Sequence, residues 1–477
     1  MITPRWTGLG TPREDWTERL VNCLKAGAQL PPAEWLQEST DAEASAARAL
    51  DLMDSDRISV AFQADDPIFL ASSVGEAQRT LKIISEWAFK WKAQFHITEN
   101  KNVAMMHLGE DRTLENIPRL QMPNVGRDGD IAISWAKQHK WLGLTWRMEG
   151  GWLPTAKARL AAAETHLSML SGLVQSCSVP ISLAVVLFDS KIDGSVAYGR
   201  WLWGVYPECA EALDRSYENW ARFLLGSCPW RNPGVAVGEL GWKLSGAARA
   251  VRDAAGKRAY FWNLPDTDVF KICFVRSHGS AGMTWAAMSS LALAKWGVPD
   301  WPKWRRSEKG GTAAYKKAVK RILAEQCLQI WKKTVSGHLH PLNYLNQREA
   351  PSEDYAKGLQ SELPFEVLVG QRAVSRLRCG LIDFGHIDGH RSQARTQQCI
   401  FCGKRVLASS LLVHAWSRCS NTTEGLSQEE RSRITDMSHS DVAKQVACSP
   451  GDEEYVLMVK RATLLDNKAC AFWMLQE

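Results

Sequence analysis

Ala61-Phe62-Gln63-Ala64-Asp65-Asp66-Pro67-Ile68-Phe69-Leu70-Ala71-Ser72-Ser73 sets two adjacent carboxylates between two short apolar runs. Residues 58–62 read as a strand and 68–71 as its return, with Gln63 to Pro67 as an acidic turn between them. Like charges held side by side raise each other's pKa unless a cation sits beside them. Mg²⁺ relieves that repulsion, because hard oxygen ligands suit it. Two such ions, shared with one further carboxylate, activate a hydroxyl nucleophile and stabilise a departing pyrophosphate. A solvated Asp-Asp-Pro turn is the alternative. The apolar flanks argue against it, since they would bury the hairpin and set the carboxylates at the end of a core element.

Moving outward, Val74, Ala77, Leu81, Ile84, Ala88, Trp91 and Phe95 recur at three- and four-residue steps, one apolar helix face. Ser73 and Glu76 have capping-box spacing at its start. Residues 103–108 read as a strand, and so do 141–146, turned back by 147–151. Beyond Pro154 the pattern is helical over 156–174, 209–225, 303–333 and 366–378. Residues 341–364 are polar and interrupted by Pro351 and Pro364, a linker signature. The expected class is α+β: a partial sheet with a covering helix, then a mainly α-helical region, then a small metal-binding segment. The expected divisions are 1–57 without clear structure, 58–152, 153–345, a linker at 346–371, 372–425, and a helical tail at 426–477.

Twelve cysteines are scattered along the 477 residues, and only Cys399-Ile400-Phe401-Cys402 has short metal-like spacing. His414 and Cys419 follow, so four N or S ligands fall within one short segment. Zn²⁺ takes such a set as a tetrahedron. The alternative is an accidental cysteine pair near a surface histidine. His386 and His390 are out of register for the set. Residues 1–10 carry no apolar signal core, which places the chain in a reducing, intracellular compartment with free or metal-bound thiols. The longest apolar run, 181–188, is far too short to span a bilayer, so no membrane partner is expected.

Net charge is +6, which permits a nucleic-acid partner without requiring one. The densest positive run is Lys303, Arg305, Arg306, Lys309, Lys316, Lys317, Lys320 and Arg321, with Glu308 and Glu325 among them. It reads either as a solvated helix face or as a nucleic-acid surface. The 22 tryptophans are numerous; most are expected in the core, although indoles also stack on bases.

The acidic turn, with its apolar flanks, resembles the aromatic-Ala-Asp-Asp palm motif of non-LTR retrotransposon reverse transcriptases. The likeness continues in order through Glu86-Trp87-Ala88, Asn100-Lys101, the 103–108 strand and Trp141-Leu142-Gly143-Leu144. It extends through Tyr198-Gly199, Trp201, Trp203, Leu213-Asp214-Arg215 and Gly238-Glu239-Leu240-Gly241-Trp242, which are similar to the thumb and connector. The Cys-Cys-His-Cys set, with Arg376-Leu377-Arg378 upstream, sits where that family carries a C-terminal zinc element. The resemblance covers most of residues 58 to 420. It implies a partial polymerase palm, a helical thumb and connector, and RNA-directed DNA synthesis with dNTPs on RNA and DNA. It implies Asp65 as a direct Mg²⁺ ligand, Asp66 as its neighbour, and Lys101 near the incoming nucleotide's phosphates. Arg376 and Arg378, with Arg391 and Arg395, would grip nucleic-acid backbone beside the zinc element. Two departures stand out. Gln63 replaces the usual aromatic residue, and nothing in residues 1–50 reads as the strand with the third metal-binding Asp or as the nucleotide-pocket segment. Asp51, Asp54 and Asp56 lie too close to Asp65 to serve. The expectation is a fragment or degenerate copy, inactive alone; the alternative is a non-catalytic nucleic-acid-binding zinc protein derived from one. A zinc-stabilised helical interaction protein is the third reading.

Overall fold

The computed structural model describes residues 59–63, 66–71, 73–90, 103–105, 117–123, 130–147, 150–175, 179–225, 233–266, 268–279, 284–307, 310–336, 351, 363–378, 385–386, 396–407, 410–424, 426–435, 437–446, 452 and 454–474. It is mostly helical with small sheets, compatible with an α+β class. The chain falls into two units. The first comprises 1–155, 256–292 and 300–308, the second 156–255, 293–299 and 309–477.

In the first unit β1 (Ser59–Gln63) and β2 (Asp66–Leu70) pair antiparallel with Gln63 opposite Asp66. Gln63, Asp66 and Pro67 of the expected turn therefore belong to the paired strands, and residues 64 and 65 lie outside the described residues. Helix α1 (Val74–Lys90) starts where expected, the Glu76 N–H donating to the Ser73 hydroxyl at 3.1 Å. Its apolar face covers a sheet in the order β3 (Val103–Ala104), β5 (Ile131–Trp135), β4 (Leu120–Met122). Leu120, Met122 and Ile133 are buried there against Val74, Ala77, Leu81 and Ile84. Strands β4 and β5 have no counterpart in the sequence reading, because three to five residues give little periodicity. Gln78 stitches helix to sheet, its Oε1 accepting the Gln121 N–H at 2.8 Å.

The expected single strand over 141–146 is instead a hairpin: β6 (Gln138–Trp141) and β7 (Leu144–Arg147) pair antiparallel around Leu142-Gly143. Both turn residues have positive φ, 50° at Leu142 and 73° at Gly143. That is the sign pattern of a mirror-image two-residue turn, which glycine adopts freely and leucine does not. Thr155 buttresses β7, its hydroxyl accepting from the Thr145 N–H at 2.8 Å and donating to the Thr145 carbonyl at 2.9 Å.

Helix α2 (Leu153–Gln175) follows the hairpins. The second unit is built on α3 (Pro207–Leu224), α4 (Pro233–Glu239), α6 (Thr312–Ser336), α7 (Phe365–Arg378) and α8 (Tyr455–Met474); α5 (Trp301–Ser307), which precedes α6 in the chain, belongs to the first unit. The single helix expected over 303–333 is thus two. Gly310-Gly311 lies directly ahead of α6, and glycine resists helical order. Phe188, Tyr217, Trp220 and Trp242 form an aromatic core, with Phe188 and Trp242 stacked at 4.6 Å between centroids. Beside it the buried Arg200 donates to Asp193 at 2.6 Å and Asp253 at 2.9 Å. Helices α7 and α8 pack closely; a Cβ built on Gly370 would lie 2.6 Å from Val459 Cγ1. Among the described residues no helix is long and apolar enough to cross a membrane.

Candidate metal centre

Cys399 closes strand β8 (Thr396–Cys399), which pairs antiparallel with β9 (Arg405–Leu407). The Gly403 N–H donates to the Cys399 carbonyl at 2.9 Å, and the Cys399 N–H donates to the Lys404 carbonyl at 2.9 Å. Gly403 has φ 70°, a left-handed bend that brings Cys402 back over Cys399. His414 begins a wide helical turn, His414–Arg418, after the short helix Leu411–Val413. That turn ends at Cys419, whose N–H donates to the His414 carbonyl at 2.7 Å. Backbone geometry thus shapes each half of the spacing, Cys399 to Cys402 and His414 to Cys419.

One ligand atom from each of Cys399, Cys402, His414 and Cys419 lies within 4.8 Å of every other. Cys402 Sγ and His414 Nε2 are 3.2 Å apart. Cys399, His414 and Cys419 are buried and Cys402 is half-buried. Burial pushes the Cys399 thiol up to about 12, with Cys419 and Cys402 adding to the rise. Burial, then Lys404 and Arg418, holds the His414 imidazole below its ordinary range, so it stays neutral and able to bind a cation. Three sulfurs and one imidazole nitrogen at mutual contact distance can hold a metal ion.

The surroundings of this set come from far along the chain. Trp416 donates from Nε1 to Gln445 Oε1 at 2.7 Å, and Asn421 donates to the Phe401 carbonyl at 2.5 Å. Arg461 on α8 is buried beneath the 414–423 segment and donates to its carbonyls. None of these supports has a signal in local spacing, and the sequence reading did not find them.

The other sequence-derived residues distribute as follows. Asp65 and Lys101 lie outside the described residues, as do Arg391 and Arg395, and of Asp66 only the place in β2 is described. Lys303 and Arg305 are exposed on α5, where Arg306 also falls. Lys316, Lys317, Lys320 and Arg321 are all exposed on α6, Arg321 lying 3.8 Å from Glu325. Of Arg376 and Arg378, only the second departs from the expected exposure. Arg376 pairs with Asp466 at 3.0 Å, and Arg378 is fully buried, 3.6 Å from the equally buried Glu239. Arg378 points into the fold because Glu239 and the Val446 carbonyl supply acceptors there. A guanidinium with no solvent access cannot reach a phosphate.

Helix α6 also bounds a pocket of 530 Å³ lined by Trp242, Trp296, Trp331, Lys295, Arg321 and Asp214, among others. No family model matches the chain, and neither a curated protein nor a solved structure matches it.

Proposed function

We propose that this chain is a zinc-bound, nucleic-acid-binding derivative of a non-LTR retrotransposon reverse transcriptase that does not polymerise by itself. The observation that carries the reading is the Cys399, Cys402, His414, Cys419 set, gathered within 4.8 Å. Three soft thiolates and an imidazole select Zn²⁺ over oxygen-seeking Mg²⁺ or Ca²⁺. The metal would contribute folding free energy to a segment with two short strands and a few helical turns.

RNA or DNA as partner is supported by the exposed Lys316, Lys317, Lys320 and Arg321 on α6. Arg321 also lines the pocket walled by three indoles, and stacking on such rings is the sequence-tolerant partner of backbone attraction. The polymerase lineage rests on the order of motifs in the sequence, with Asp65 and Asp66 as candidate Mg²⁺ ligands and Lys101 as a phosphate contact for dNTPs in the parent enzyme. A site with two of three carboxylates loses most transition-state stabilisation, so primer extension on an RNA template stays at background.

The experiment measures metal and nucleic-acid binding on the full chain. Mass spectrometry on protein purified without added zinc reads one Zn²⁺ per chain, lost in Cys402→Ser. Affinity for RNA falls with salt at a log-log slope of about minus three to minus four if about four cations neutralise phosphates. Lys316→Glu, Lys317→Glu and Lys320→Glu together flatten that slope. Zinc content unchanged in Cys402→Ser removes the metal assignment. Binding insensitive to salt and to the triple substitution removes the nucleic-acid surface.

A further inference from the structure

Among the described residues four arginines are fully buried: Arg200, Arg258, Arg378 and Arg461. Three of them face carboxylates. Arg200 meets Asp193 and Asp253, Arg258 meets Asp300, and Arg378 meets Glu239. Burying a guanidinium without a counter-charge costs several kcal/mol, which explains those pairings.

Arg461 differs. Its Nε donates to the Trp416 carbonyl at 3.0 Å, and Nη2 donates to the Ala415 carbonyl at 2.9 Å and Thr422 Oγ1 at 3.0 Å. Nη1 donates to the Thr422 carbonyl. Among the described residues no carboxylate pairs with it, although it is 1% exposed. Its acceptors, at 415, 416 and 422, bracket Cys419 on both sides. Carbonyls at a helix end amount to about half a negative charge, short of the full charge that a buried cation calls for. Burial draws the Arg461 guanidinium down to about 10, and Cys419 is the neighbour that opposes the fall.

The missing charge has an evident source. Zn²⁺ with three thiolates and a neutral imidazole carries one net negative charge. We propose that the metal-loaded Cys399–Cys402–His414–Cys419 centre is the counter-ion of Arg461, and that Arg461 is a positioning residue that sets the centre's affinity from α8. This inference rests on the zinc reading above. It makes α8 part of the metal site: Lys468, also on α8, donates to the Asn421 carbonyl, and Asn421 in turn donates to the Phe401 carbonyl beside Cys402.

The test is zinc affinity by chelator competition, using the full chain. Arg461→Met is expected to weaken binding about 10- to 100-fold, the usual effect of losing an outer-sphere partner. Arg461→Lys keeps the charge but not the fork of carbonyl bonds, so it stays within about fivefold of wild type even where its Tm falls. The deciding arm is Cys402→His, whose loaded centre is neutral. There Arg461→Met costs less than about threefold, because the charge pair no longer exists. An equal loss in both backgrounds, no loss in either, or a Lys variant as weak as the Met variant overturns the proposal and leaves the zinc reading standing. Should Arg461→Met not fold, Arg461→Gln, which also removes the charge, takes its place in both backgrounds with the same expected and overturning results. A wild-type chain that binds no zinc overturns the metal reading and this inference with it.

Discussion

Arg378→Met separates two accounts of one residue. Its sequence neighbourhood, Arg376-Leu377-Arg378 ahead of a metal segment, suggests a phosphate contact; the structure buries it against Glu239 with both side chains at 0% exposure. At 3.6 Å and an effective dielectric of about 20, their attraction is about 5 kcal/mol. Substituting Met also removes the 2.8 Å bond from Nε to the Val446 carbonyl, a further 1 kcal/mol or so. Relief of the arginine's own desolvation offsets part of this. Breaking one side of a buried pair costs about 3–5 kcal/mol, and the lower end applies because Glu239 has other partners. Glu239→Gln should cost a similar amount. The double variant should be at least about 1.5 kcal/mol more stable than the two single losses added together. Urea denaturation followed by tryptophan emission reads this as a midpoint shift of about 1 to 2 M for the single variants. RNA affinity of the folded variant should be unchanged. A midpoint that does not move, together with weaker RNA binding, would refute the buried pair and restore the surface reading.

Leu142→Asn should raise the thermal midpoint, because leucine at φ 50° is strained by about 1 kcal/mol and Asn-Gly suits this turn; a lowered midpoint would contradict the positive-φ hairpin. Gly370→Ala should destabilise by about 1–3 kcal/mol, since its methyl would meet Val459 and Thr463 at 2.6–2.7 Å. Calorimetry showing no loss would mean that α7 and α8 are not so closely packed. The metal-free protein should be most stable between about pH 6.5 and 8.5. Below that range the unfolded chain takes up a proton at His414 that burial, Lys404 and Arg418 deny the folded one, and above it the unfolded chain ionises a Cys399 thiol that burial keeps protonated. The acid limb should vanish in His414→Gln and the alkaline limb in Cys399→Ser; limbs unaltered by those variants assign the dependence to other groups.

What the sequence disclosed was local. The α1 face showed itself because Val74, Ala77, Leu81 and Ile84 repeat at the helical period behind the Ser73 cap. The Cys399, Cys402, His414 and Cys419 cluster showed itself because each half of the set is a few residues long. The Leu142 turn stayed hidden, since leucine is the wrong residue for positive φ and Trp141 to Trp146 reads as one apolar strand. The basic residues were the hardest to place, for a physical reason. An arginine goes to solvent unless the fold brings it an acceptor, and the acceptors here are distant in sequence. Arg378 finds Glu239, inside a motif singled out for other reasons, and Arg461 finds carbonyls around Cys419. The same composition therefore supplies both the exposed lysines of α6 and the buried guanidiniums of the core. Only the tertiary position of a counter-charge tells them apart, and at Arg461 that counter-charge would be complete only with the metal in place.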